Sequence, residues 1–274
     1  MKKIIHLSDL HVGYRDLGKR FLVIVERLRD FVKVNAREFV IVITGDLVDN
    51  ANYQDSYEYL KLGFECLKQA GFEDILVVPG NHDYGTGNKG DKKFVKIFQD
   101  HFFKDEADYP IKNIIQDVAF IGLDSMMSEL HWYDKIWAEG ELGKDQLLKL
   151  RNILEGEDVR ACKKRVIYLH HHPFDARPVH QLKDSRKLKK VLMDAMGKGI
   201  SVDAILYGHN HEGKSNNGKW GIKRCYDGGS STMKPRPRAV SKVPWYQVHS
   251  SIRVIDIGND DVSSDQAIEY TYEK

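Results

Sequence analysis

Five short polar motifs follow one another along the chain. They are Asp9-x-His11, Gly45-Asp46-x-x-Asp49, Gly80-Asn81-His82-Asp83, His170-His171-His172-Pro173 and Gly208-His209-Asn210-His211. Together they offer carboxylates, one amide oxygen and several imidazoles. That mixed oxygen and nitrogen set suits Mn, Fe, Zn, Co or Ni rather than a soft thiolate metal. It exceeds what one four- to six-coordinate ion requires, so two divalent metal ions are the economical reading. Asp9 and His11 stand two residues apart, as do His209 and His211. In extended chain alternate residues share a side, so each pair can face one ion. A lone DxH or GHxH is weak evidence, and GNHD is more specific. The ordered set of five carries the inference, because agreement across levels is the real evidence. His6, His101, His131, His180 and His249 receive no role in this pattern.

Each motif ends an apolar run that reads as a buried strand. The runs are 3–7, 39–43, 74–78, 165–169 and 203–207. The run 39–43 (Phe-Val-Ile-Val-Ile) has no polar interruption, as expected of a strand covered on both faces. Helical spacing predicts helices over 17–35, 54–70, 93–103, 143–155 and 184–197. Further strands are predicted at 112–116, 118–123 and 222–226. The β-α-β-α-β order of the first part predicts a largely parallel sheet there. In such sheets ligands gather outside the carboxyl ends of the strands, which is where the motifs fall. Residues 81–93 read as a loop, and 124–142, with Trp132, Tyr133 and Trp137, as a surface excursion. After Pro244 the tail alternates around 252–257 and 266–272, as antiparallel edge strands do. The expected fold class is α/β: one domain, 1–274, on two packed mixed sheets flanked by helices. Its motif-bearing core spans 4–212 and its C-terminal strands lie within 220–274.

Composition sets the outer bounds. The 274 residues carry a formal net charge of +2, too little to indicate nucleic acid or membrane binding. Cys66, Cys162 and Cys225 are odd in number and form no CxxC pair, which argues against a disulfide framework and a cysteine zinc site. The apolar stretch after Met1 stops at Asp9, too short for a signal-peptide core, and no window is long enough to span a membrane. The expectation is a soluble cytoplasmic protein.

The ordered motifs resemble the calcineurin-like metallophosphoesterase superfamily over residues 4–212. The sequence GDLVD, GNHD, HHP and GHNH, followed by Gly228-Gly229-Ser230-Ser231, looks closest to the cyclic-nucleotide phosphodiesterase-like branch. The resemblance implies a four-layer α/β/β/α sandwich with a dinuclear centre. It assigns Asp9, His11, Asp46 and His211 to one metal. Asp46 then bridges to a second metal completed by Asn81, His171 and His209. His171 is assigned because the family's ligand lies two residues before the Gly or Pro that closes the motif. His170 and His172 become supporting or packing residues. Two cations in such a site clamp a phosphoryl group and activate the water between them for in-line attack. The resemblance casts His82 as stabiliser of the transition state or proton donor to the leaving alkoxide. Asp83 is expected to orient His82, and Asp49 to fix the loop carrying Asp46. Turn capping is the plainer role for both carboxylates.

The substrate implied is a small phosphodiester, a cyclic nucleotide among the candidates. A nuclease is the alternative, and a non-catalytic scaffold the third reading. Arg236 and Arg238, after the GGSST turn, are candidate substrate contacts, and the loops 84–93 and 124–140 are the other variable segments.

Overall fold

The computed structural model describes residues 1–87, 90–103, 107–128, 139–177, 180–232 and 252–268. Arg236, Arg238, Trp132, Tyr133 and Trp137, and the tail beyond 268, lie outside them.

The strands are β1 (Lys3–Leu7), β2 (Phe39–Thr44), β3 (Asp74–Val78), β4 (Ile111–Ile115), β5 (Val118–Gly122), β6 (Lys164–Tyr168), β7 (Ala204–Tyr207), β8 (Arg224–Asp227), β9 (Ile252–Ile255) and β10 (Gln266–Ile268). The helices are α1 (Leu17–Val32), α2 (Gln54–Gln69), α3 (Lys92–Phe102), α4 (Lys144–Glu155), α5 (Glu157–Ala161) and α6 (Ser185–Gly197). One sheet has the order β10-β9-β1-β2-β3 and the other β4-β5-β6-β7-β8. β1, β2 and β3 run parallel, with β9 antiparallel to β1. In the second sheet β5 through β8 run parallel and β4 pairs antiparallel with β5. Both sheets are mixed, as the sequence pattern predicts. The tail differs in one respect: β9 is an interior strand of the first sheet, and only β10 occupies its edge.

The alternation of side chains produces three hydrophobic layers. Along β2, Ile41 and Ile43 join the cluster shared with α1 and α2, including Phe21, Leu28 and Leu60. Val40 and Val42 point the other way. They meet Val166, Tyr168, Phe120 and Leu206 between the two sheets. The second sheet's far face packs Ile121, Ile167 and Ile205 against Leu150 and Leu192 of α4 and α6. A strand whose successive residues all enter a core reads as a continuous β-branched run, and every residue of β2 is buried. The helices cover the outer faces, giving the α/β/β/α layering. α1 stops at Val32, short of the predicted residue 35, because Lys33 adopts φ +53°, which ends right-handed helix. α5 was not predicted. It is a single short turn of helix, below the length at which periodicity can be read.

Candidate metal centre

The motif loops extend the parallel pairing past the strand ends. The amide of Asp9 donates to Gly45 O (3.0 Å), His11 N to Asp46 O (2.9 Å) and Asp49 N to Val12 O (2.9 Å). His209 N donates to Asp9 Oδ2 at 3.0 Å, and Gly208 N to His170 O at 2.9 Å. The loops of both sheets therefore meet at one place. The backbone is bent sharply to bring them there. Of the nine non-glycine residues with positive φ among those described, five are Asp9, His11, Asp46, His209 and His211. Such conformations cost roughly 1–3 kcal/mol each and concentrate at functional sites. The glycines beside them allow close approach. A Cβ on Gly80 would stand 2.3 Å from Asp46 Oδ1, and one on Gly208 would stand 2.0 Å from Ser8 Oγ.

Two groups of side chains result. In the first, His211 Nε2 lies 3.1 Å from Asp9 Oδ1 and 3.1 Å from His11 Nε2. In the second, His170 Nε2 lies 2.9 Å from Asn81 Oδ1 and 3.2 Å from His209 Nδ1, which is itself 3.1 Å from Asn81 Oδ1. Asp46 stands between them, its Oδ2 3.6 Å from His11 Nε2 and 3.5 Å from His170 Nε2. Its other oxygen accepts from His82 N at 2.8 Å, which leaves Oδ2 to face both groups.

Tautomers follow from the outer partners. His170 Nδ1 faces the Thr44 carbonyl at 2.8 Å, so Nδ1 carries the proton and Nε2 presents a lone pair. His11 Nδ1 faces Asp49 Oδ1 at 3.3 Å, with the same consequence. Each Nε2 faces oxygen acceptors across a buried space, where positive charge relieves the repulsion; against burial, the Asp46 and Asp9 carboxylates hold the His170 pKa above its ordinary value, and a metal ion would serve in place of that proton. The spacing fits one. Two ligands at right angles on an ion, each about 2.1 Å from it, are about 3 Å apart. Burial, and after it the surrounding imidazoles, hold the His209 pKa well below its ordinary value. Neutral imidazole is the ligating form.

His171, the residue assigned by resemblance, sits differently from His170. Its Nδ1 meets Ser125 Oγ at 2.7 Å, and its ring lies against the His209 ring, centroids 4.4 Å apart. It belongs to one candidate ion-holding group with His170 and His209, whereas His170 alone also groups with Asp9 and Asp46. His172 packs edge-on against Tyr207, and its Nδ1 accepts from Phe174 N, while burial lowers its pKa to about 4. It is a packing residue.

The GNHD loop also differs from expectation. Asp83 does not touch the His82 ring. Its carboxylate accepts from Gly80 N (2.9 Å), Leu47 N (3.2 Å) and Val48 N (3.1 Å), clamping the Asp46 and Asn81 loops together. His82 is oriented instead by Asp49, whose carbonyl oxygen accepts from Nδ1 at 2.5 Å. His82 Nε2 lies 4.0 Å from Asp46 Oδ2, with the side chain 21% exposed. His180, given no role from sequence, has its ring centroid 5.5 Å from that of His209.

The sequence reading passed over the hydroxyls that hold the first loop. Ser230 Oγ donates to Asp9 O, Thr232 Oγ1 to Leu10 O and Ser8 Oγ to Asp9 Oδ2. The GGSST segment was legible as a motif, but its contact with Asp9, some 220 residues away, was not.

Asp124, just past β5, joins the second sheet to the GNHD loop. It accepts from Tyr84 Oη at 3.0 Å and from Met126 N at 2.8 Å. Burial pushes its carboxyl up to about 6. The folded state therefore disfavours the charged form, and stability is lost as pH rises from the unfolded value near 3.8 through 6. At 1.36 kcal/mol per unit the loss approaches about 3 kcal/mol. Asp124→Asn is expected to raise the urea midpoint of the metal-free protein at pH 8, the gain shrinking below pH 5. A gain independent of pH would contradict this assignment.

The chain belongs to the calcineurin-like phosphoesterase family, whose sequence model matches residues 2–213. Membership implies divalent metal ions, and the two groups above fit them. No curated protein matches the sequence. Solved structures share the fold at low identity. A purple acid phosphatase from yellow lupin seeds is 14% identical with a TM-score of 0.53, over 77% of this chain and 38% of that one. A 5'-nucleotidase from Candida albicans is 10% identical with a TM-score of 0.55, over 98% and 52%. GAP50 of Plasmodium, described as the anchor in the inner membrane complex, is 13% identical with a TM-score of 0.55, over 100% and 90%. This chain thus spans about half or less of the two enzymes. Among the described residues no helix is long and apolar enough to cross a membrane.

Proposed function

We propose that the protein is a dinuclear metal-dependent phosphodiesterase acting on small phosphodiesters of nucleotide type. The observation that carries the reading is Asp46 Oδ2 set between two ligand groups, 3.6 Å from one imidazole and 3.5 Å from the other. Asp9, His11 and His211 would hold one ion, and Asn81, His170 and His209 the other, with Asp46 facing both. This assignment replaces His171 by His170. Two cations bound there supply Lewis acidity toward the phosphoryl oxygens and an activated water.

The protein's own groups do the rest. Asp49 and Thr44 fix which nitrogen of His11 and His170 faces the other ligands. With Nδ1 donating to Asp49 O, His82 can give a proton from Nε2 to the departing alkoxide when the ring is an imidazolium, and is left neutral. The diester preference rests on the likeness of the GDLVD, GNHD, HHP and GHNH motifs to the phosphodiesterase-like branch.

The test is turnover of bis-p-nitrophenyl phosphate against p-nitrophenyl phosphate with added Mn²⁺. Preference for the monoester would overturn the diesterase reading. His82→Ala is expected to lower turnover of an alkyl ester about 10²- to 10⁴-fold. The loss should be smaller for a nitrophenyl ester, whose leaving group needs no proton. Equal losses would remove the proton-donor role from His82.

A further inference from the structure

The chain that follows the GNHD motif folds back over it. Gly85 and Gly90 pair in an antiparallel bridge, and Asp91 N donates to Tyr84 O at 2.8 Å. A further bond ties this segment to the Asp49 loop, where Ala51 N donates to Gly85 O at 2.9 Å. These ties set Gly87 against both Asn81 and His82.

The contact with Asn81 is a hydrogen bond. Asn81 Nδ2 donates to Gly87 O at 2.8 Å. A side-chain amide has one donor end and one acceptor end, so this bond decides how Asn81, itself buried, is turned. Its oxygen then faces the second ligand group, 2.9 Å from His170 Nε2 and 3.1 Å from His209 Nδ1. Turned the other way, the amide would present hydrogens to a cation.

The contact with His82 is a close approach. Gly87 is buried with φ +89°, a conformation open to glycine and costly for other residues. A Cβ there would stand 2.5 Å from both Cε1 and Nε2 of His82, far inside the 3.5–4.0 Å or so at which carbon atoms rest against their neighbours. The ring is not free to retreat, because its Nδ1 is held by Asp49 O. The edge of His82 that releases a proton is therefore shared between the Gly87 backbone and the group that receives it.

We propose that Gly87 is a positioning residue for the phosphodiester hydrolysis inferred above. Its carbonyl turns the Asn81 oxygen toward the second ion, and its lack of a side chain leaves His82 Nε2 within reach of the leaving group. The proposal rests on that functional reading, its first part through metal binding and its second through turnover.

Gly87→Ala in the full chain tests it, with Gly218→Ala as control. Gly218 has φ +83° and nothing within 4 Å of the place a Cβ would take, so alanine there carries the same backbone strain without the contacts. Mn²⁺ titration of the metal-stripped proteins should show one of the two sites weakened about 10- to 100-fold in Gly87→Ala, and neither in Gly218→Ala. At saturating Mn²⁺, kcat of Gly87→Ala for an alkyl ester should fall about 10²-fold with KM little changed. The loss should be much smaller for a nitrophenyl ester, the pattern expected of His82→Ala. Unchanged affinity at both Mn²⁺ sites would overturn the role toward Asn81. Unchanged dependence on the leaving group would overturn the role toward His82. Equal losses in Gly218→Ala would trace the effects to backbone strain and overturn both. A wild-type protein that binds two Mn²⁺ ions and hydrolyses no phosphoester would sink the hydrolase reading and the His82 role together, while the titration would still decide the Asn81 role.

Discussion

His170→Ala is expected to leave the protein holding one metal ion in place of two, and to lower turnover by about 10³-fold or more, the several kcal/mol that a second Lewis acid supplies. The substitution removes the lone pair that faces Asn81 Oδ1 at 2.9 Å and Asp46 Oδ2 at 3.5 Å. It also leaves the Thr44 carbonyl without its imidazole donor. His171→Ala removes a ring held by Ser125 and packed on His209. Its expected cost is about 10- to 100-fold in affinity or activity, typical of a residue that positions a ligand, with two ions still bound. Metal analysis after dialysis separates the two. If His170→Ala retains two equivalents and His171→Ala only one, the assignment made from geometry is wrong and the one made from resemblance is right.

The difference between these histidines was legible in the sequence, though not in the motif. β6 alternates strictly. Val166 and Tyr168 enter the layer between the sheets, and Ile167 and Leu169 the layer under α4 and α6. Position 170 continues the first set and points toward the sheet that carries Asp46 and Asn81. Position 171 continues the second. A count back from Pro173 ignores this parity, while the two-residue period of a strand preserves it. The five strand ends were legible for the same reason: uninterrupted β-branched runs announce buried strands, and the polar residues that close them stand out. What escaped was long-range. That Asp83 would serve three backbone amides rather than His82 depends on how the Asp46 and Asn81 loops stack, which no local pattern encodes. That residues 228–232 would hold the Asp9 loop depends on β8 ending beside β1 across the gap between the sheets.

Among the described residues a buried ion pair ties β8 of the second sheet to the segment between β9 and β10 of the first. Arg224 Nε on β8 donates to Asp265 Oδ2 at 2.8 Å, with the two side chains 1% and 2% exposed. The other guanidinium contacts are backbone carbonyls of the tail, Asn259 O at 2.8 Å and Asp256 O and Asp261 O at 3.2 Å. Asp265 also accepts from Tyr226 Oη at 2.6 Å and Asp256 N at 2.9 Å. Asp265→Ala keeps the arginine buried and takes away the carboxylate that pairs with it, so about 3–5 kcal/mol of stability should be lost. Urea unfolding of the metal-free protein measures it, and a loss under 1 kcal/mol would show that solvent reaches the pair. The Arg224→Met/Asp265→Leu double variant should recover only part of the loss: apolar groups remove the unpaired charge, while Tyr226 Oη, Asp256 N and three tail carbonyls are left without these partners. Since β8 leads directly into the segment that holds the Asp9 and Leu10 carbonyls, Asp265→Ala should also weaken metal binding at a site it never touches, and the double variant should restore it in part. Metal affinity that stays low in the double variant would mean the ion pair positions the loop in a way that packing alone does not.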